Sequence, residues 1–169
     1  IAGLVYTDAV LAEELTLKLS KLFRYSINYS EQHFTTLAEE LEMLHVYLSI
    51  EKIRLGAKLQ FELQADENLL PGYFPRFLLQ PLVENAIKYG LYGTLGEVTI
   101  RVSCKKEENY LLITVQNPFD SQDSGPEGIG FGLSSIERRL FLIFGRTDLL
   151  HKSAENNLFQ VQLKLPLTA

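Results

Sequence analysis

The chain has 169 residues, 46% of them hydrophobic, which is enough for one packed core and sets it apart from disordered chains. Its formal net charge is -5 and it has no block of lysine and arginine, which argues against nucleic acid or an anionic membrane surface as a direct partner. Cys104 is the only cysteine, so neither an intrachain disulfide nor a cysteine-based metal site can form. No stretch reaches the roughly 18 apolar residues of a membrane span, and the first ten residues lack the basic flank of a signal peptide. Met43 is the only methionine, so a chain beginning at Ile1 reads as a piece of a longer protein.

From Thr7 to Ser26, Leu11, Leu15, Leu19, Leu22 and Phe23 recur at helical spacing and predict an amphipathic helix. "INYSEQHF" interrupts it. Thr36 followed by Glu39 is a capping-box signature for a second helix, with Leu37, Leu41, Leu44 and Leu48 as its stripe and Gly56 as its stop. After Gly56 the period changes to two, and Leu59, Phe61 and Leu63 predict a strand. The loop "NLLPGYFPR" then leads to "LVENAIKYG". Leu78, Leu79, Leu82, Val83, Ala86 and Ile87 form a core stripe there, and Asn85 and Lys88 sit together on a neighbouring face. That face either meets a ligand or is a solvated surface on which Glu84 pairs with Lys88 and Asn85 is incidental. Pro81 either begins this helix or kinks its first turn.

Two strands around Glu97 to Cys104 and Tyr110 to Gln116, joined at "KKEEN", read as a hairpin. "NPFDSQDSGPEGIGFG" is the most polar, Gly/Pro/Ser-rich stretch and separates this hairpin from the helix "LSSIERRLFLIFG". A strand over 148–154, an Asn156-Asn157 turn and an alternating strand of Phe159, Val161, Leu163 and Leu165 close the chain. The layout is two helices followed by an α+β unit, one sheet with helices on one face. Gly128, Gly130 and Gly132 stand at alternate positions before a helix, where glycine permits close backbone approach and free helix N–H groups favour phosphate. The spacing is neither a dinucleotide fingerprint nor a P-loop, and a flexible helix start is the alternative reading.

"LFRYSI", "TLAEELEMLHVYLSIEKIRLG", "PRFLLQPLVENAIKYG" and the glycine box with "RRL" occur in this order over about Lys18 to Leu167. In this the chain resembles the nucleotide-binding domain of the gyrase, histidine-kinase and MutL ATPase superfamily, and more closely the LytS-like sensor histidine kinases. The resemblance implies a two-layer α/β sandwich with a mixed sheet and helices on one face. It also implies a division into an N-terminal helical segment, 1–56, left over from a dimerisation and histidine region, and an ATP-binding catalytic domain, 57–169. ATP and Mg2+ are the implied ligands: Asn85 as the metal ligand, Glu84 orienting its shell, and Lys88 neutralising phosphate charge. Gly128, Gly130 and Gly132 would cradle phosphates, Leu133 would anchor the helix behind them, and Arg139 either faces the phosphates or makes a structural salt bridge.

Three departures accompany it. Asn117, followed by Pro118, stands where the family commonly has an Asp that accepts from the adenine amino group; Asp120 is a rival in another register. Tyr89 stands where the family often has His. No phosphoacceptor motif precedes "LFRYS", so His33, His45 and His151 read as structural or surface residues and the acceptor is expected upstream of Ile1. Pro81 occupies the place one turn before Asn85 where ATP-hydrolysing relatives carry a catalytic Glu, which favours a kinase over an ATPase. The implied partners are a response regulator and a second copy of the chain, and the implied location is the cytoplasmic side of a membrane-anchored bacterial protein. Two rivals remain: a nucleotide-responsive module without kinase activity, and an interaction domain that binds no nucleotide.

Overall fold

The structure, a computed structural model, describes residues 3–27, 33–91, 96–119 and 131–167. In chain order the elements are α1 (Leu4–Thr7), α2 (Ala9–Ile27), β1 (Phe34–Thr36), α3 (Leu37–Leu55), β2 (Leu59–Ala65), β3 (Tyr73–Pro75), α4 (Leu79–Leu91), β4 (Val98–Glu107), β5 (Tyr110–Pro118), α5 (Phe131–Phe144), β6 (Leu150–Glu155) and β7 (Leu158–Pro166).

The predicted first helix is α2, preceded by the single turn α1; the Asp8 carboxylate between them accepts the Leu11 N–H at 3.0 Å and caps the start of α2. Only Ala12 and Leu15 of α2 are buried, and Val10, Leu17, Phe23 and Ile27 are exposed. α3 begins where the capping box predicts. The Thr36 hydroxyl accepts the Glu39 N–H at 3.2 Å, while the Glu39 carboxylate takes the Thr35 hydroxyl instead of reaching back to Thr36. Gly56, at φ 63, ends the helix and donates its N–H to the Lys52 carbonyl.

The main sheet has the order β2-β4-β5-β7-β6, with β2 and β4 parallel and the remaining neighbours antiparallel. Strand alternation puts Val98, Ile100, Val102 and Cys104 of β4, Leu111, Ile113 and Val115 of β5, and Val161, Leu163 and Leu165 of β7 into one core with α3, α4 and α5. This is the expected two-layer arrangement of a mixed sheet with helices on one face. Leu48, Leu79, Leu82, Leu133 and Leu140 are almost wholly buried within it, each contributing about 1.5–3 kcal/mol of hydrophobic stabilisation. Leu37, Leu44 and Leu48 of α3 belong to this same core.

Two features escaped the periodicity. β1 and β3 pair antiparallel as a three-residue ribbon, Phe34 opposite Pro75, which ties the start of α3 to the approach to α4. The β4–β5 hairpin is also tighter than "KKEEN" suggests: β4 runs to Glu107, leaving Glu108 and Asn109 as the turn, whereas β6 and β7 turn at Asn156 and Asn157 as expected. Glu108, Asn156 and Asn157 have φ values of 53, 51 and 60°, the left-handed backbone that two-residue hairpin turns use.

Cys104 is fully buried on β4, and burial pushes its thiol up to about 12. The folded chain is therefore expected to resist alkylation by iodoacetamide at mildly alkaline pH and to react fully in urea. Rapid labelling of the native chain would contradict this placement.

Candidate functional site

α4 starts without a capping side chain of its own, because Phe77 and Leu78 precede it. Glu40 of α3 supplies the cap: one carboxylate oxygen accepts the Leu78 and Leu79 N–H groups at 2.9 and 3.1 Å, and the other accepts the Phe77 N–H at 3.0 Å. The second oxygen also accepts the Tyr25 hydroxyl at 2.9 Å. Burial holds the Glu40 carboxyl above the usual carboxylate range against the pull of these hydrogen bonds, and it holds the Tyr25 phenol above its ordinary value. Pro81 falls in the first turn of α4, where its missing N–H loses no helical partner, so the helix begins there unkinked in its ladder.

With Leu79, Leu82, Val83, Ala86 and Ile87 buried, α4 turns Asn85 toward the first turn of α5. Asn85 Oδ1 lies 3.6 Å from where a Cβ on Gly132 would stand, an ordinary contact distance. Asn85 Nδ2 is buried and has no hydrogen-bond partner among the described residues. A buried amide left so is destabilising by about 1–3 kcal/mol, which marks it as a group held for something other than packing. It offers an oxygen to a hard cation and an N–H to an anionic oxygen.

Farther along α4, Gly90 meets the sheet. A Cβ there would stand 2.9 Å from Val98 Cγ1 and 3.3 Å from Asn117 Cβ, so only glycine lets the helix approach this closely. Asn117 continues the inward alternation of Leu111, Ile113 and Val115, which is why a polar residue at the end of β5 is only 1% exposed. Its Nδ2 donates to the Pro118 carbonyl at 2.8 Å, leaving the amide oxygen as the acceptor to offer. Gly90, which meets Asn117 of β5, stands five residues beyond Asn85 on α4, about 7.5 Å of axial rise.

The other candidates are distributed as follows. Glu84 accepts from Gln80 Nε2 at 2.8 Å, and Lys88 is exposed with its ammonium 5.3 Å from the Tyr89 ring centroid, so the Glu84–Lys88 ion pair weighed as an alternative does not form. Leu133 is fully buried, as an anchor for α5 would be. Arg139 donates to the carbonyls of Arg76 and Phe77, the latter at 2.9 Å. Those two hydrogen bonds tie α5 to the backbone ahead of α4. Gly128, Gly130, Asp120 and the remainder of the polar stretch from 120 to 130 lie outside the described residues. His45 and His151 are exposed on α3 and β6, and His33 is exposed beside β1. Glu40, Tyr25, Arg76 and Gly90 were not foreseen. The signal for Glu40 was available: it lies at helical spacing from Leu37 and Leu44, a charge on the apolar stripe.

Residues 1–59 match the family model described as histidine kinase. Sensor histidine kinase BtsS of Escherichia coli is 29% identical over 167 residues, covering 98% of this chain and 30% of that protein. Sensor protein LytS of Bacillus subtilis is 31% identical over 171 residues, covering 92% of this chain and 28% of that protein. The chain therefore spans under a third of the curated relatives it matches. A crystallised catalytic domain of histidine kinase ThkA shares the fold, with a TM-score of 0.58 at 17% identity over 80% of this chain and 96% of that one. ThkA has also been crystallised with the response regulator protein TrrA, and that kinase matches 97% of this chain with a TM-score of 0.53 at 15% identity. Sequence similarity to the LytS and BtsS sensor histidine kinases thus runs through nearly the whole length of the chain.

Proposed function

We propose that this chain is the catalytic portion of a two-component sensor histidine kinase, binding Mg-ATP between α4 and the start of α5 and passing the γ-phosphate to a histidine outside these residues. The observation that carries the reading is Asn85: a buried amide on the ligand-facing side of α4, without a partner for its nitrogen and facing a glycine. When bound, Mg2+ supplies charge neutralisation on the phosphates and, as a hard cation, keeps waters and takes few protein ligands. A single amide oxygen fits that demand. Among the described residues no group of three His, Cys, Asp or Glu side chains stands together to hold a metal alone.

Each residue then has a task. Asn117 orients the base by accepting from its exocyclic amine, Lys88 is free to swing onto phosphate oxygens, and Glu84 orders the water shell beside Asn85. Gly132, with Gly128 and Gly130, lets the backbone approach the phosphates, and Leu133 holds that helix start in place. Arg139 serves by fixing the backbone ahead of α4. His33, His45 and His151 are not acceptors in this reading, which places the histidine in another part of the kinase. The whole protein is proposed to act as a homodimer anchored to a bacterial membrane, with this portion cytoplasmic and a response regulator as the next phosphate acceptor.

Calorimetric titration with ATP is expected to show binding that weakens sharply when a chelator replaces Mg2+. With labelled ATP, the chain alone is expected to gain no acid-labile phosphate until a histidine-bearing helix of the same kinase is added. No binding of Mg-ATP would sink the reading. Asn117 in place of an Asp, with Pro118 beside it, favours a second reading, a nucleotide-responsive module without phosphotransfer. Binding without transfer to any added histidine helix would select it.

A further inference from the structure

Both walls of the proposed nucleotide site are referenced to the backbone of one residue. The Phe77 N–H is held by Glu40 of α3, and its carbonyl by Arg139 of α5, the helix that carries Gly132. Phe77 is a non-glycine residue at φ 55, a sparsely populated backbone state that persists only where its surroundings over-determine it. Two turns further on, the helix that this residue introduces carries Asn85. Among the described residues, the only side chain outside this group that reaches the Glu40 carboxylate is Tyr25, near the C-terminal end of α2. Its ring also lies against Phe77, with centroids 4.8 Å apart, and under the Arg76 guanidinium at 4.7 Å. α2 is otherwise lightly held, burying only Ala12 and Leu15.

We propose that Glu40 is a positioning residue for Asn85, and that the Tyr25 hydroxyl makes this position depend on α2: displacement of the N-terminal helix reaches the nucleotide site through Tyr25, Glu40 and the Phe77 backbone. The inference rests on the nucleotide reading above for its consequence, though the mechanical link stands on its own geometry. The carboxylate grips three successive N–H groups with two oxygens, so it sets both the height and the rotation of the first turn of α4. A helix so held transmits a shift of its start as a rigid rod, and Arg139 carries the same shift into α5. Withdrawal of Tyr25 leaves the carboxylate with one donor fewer in a buried place, loosening its grip on all three amides together.

The test is Tyr25→Phe in the 169-residue chain, which keeps the ring against Phe77 and Arg76 and removes only the hydroxyl. Amide hydrogen exchange without nucleotide is expected to accelerate roughly tenfold at Phe77, Leu78 and Leu79, the worth of one charge-assisted hydrogen bond, while amides of β5 stay protected. Mg-ATP affinity is expected to fall by roughly three- to tenfold, with affinity in chelator unchanged, because only the interaction routed through Asn85 is displaced. Unchanged exchange at the three amides, or uniform acceleration through β5 as well, overturns the link. An equal loss of affinity with and without Mg2+ overturns the route through Asn85. If the parent chain bound no Mg-ATP, the nucleotide reading would fail by itself, and the exchange arm would still decide whether α2 controls the start of α4.

Discussion

Asn85→Ala is expected to weaken Mg-ATP binding by at least about 10–100-fold, the loss typical when a metal site is deprived of a group that fixes its cation. Binding in the presence of a chelator is expected to change far less. The same substitution is expected to leave the fold intact and to raise its stability by about 0.5–2 kcal/mol, because alanine is the better helix former and the buried unpartnered Nδ2 disappears. Calorimetry with and without Mg2+, together with urea unfolding, reads both quantities. A residue kept for packing would show the opposite pair of results, with stability lost and binding retained. Equal loss of affinity in Mg2+ and in chelator would remove Asn85 from the metal.

Glu40→Ala is expected to destabilise the chain by about 3–5 kcal/mol, since it orphans three backbone N–H groups and the Tyr25 hydroxyl in a buried place. Glu42, on the same helix but exposed and paired only with Lys21, is the control: Glu42→Ala is expected to change stability by less than about 1 kcal/mol. Urea unfolding distinguishes the two. The pH dependence has a definite sign. Burial raises the folded-state value of Glu40 above its ordinary 4.5, so between those values the folded chain holds more protons than the unfolded one. Stability from this group is therefore fully present below the ordinary value and declines as pH rises toward the folded one. The gap between the parent chain and Glu40→Ala is expected to narrow over that range, and a gap that widened would refute the assignment.

Residue patterns disclosed much of this molecule because the patterns obey local rules. The alternation of β4, β5 and β7 and the stripes of α3 and α4 follow from periods that one face of a sheet or helix must keep. Thr36 and Gly56 mark helix ends because their side-chain or backbone chemistry acts within a few residues. Glu40 was visible as a charge on the apolar stripe of α3, but the amides it holds were not, because they lie 37 to 39 residues away, where no short-range rule reaches. β1 and β3 were hidden because three residues cannot display a period. Gly90 carried no short-range signal, because what demands a missing Cβ there is Val98 and Asn117 on the sheet beneath it.

The sheet joins two hairpins, β4–β5 and β6–β7, each closed by a two-residue turn and able to form locally. α5 lies in the connection between them, and α4 lies in the crossover that brings β2 alongside β4. Asn85 and Gly132 therefore both reside on linking segments, and they meet only after the distant strand pairings have closed. A partly folded chain with both hairpins intact would have no site at all. Any ligand bridging α4 and α5 would act as a clasp on the sheet's long-range joints, slowing subglobal opening there more than fraying of either hairpin.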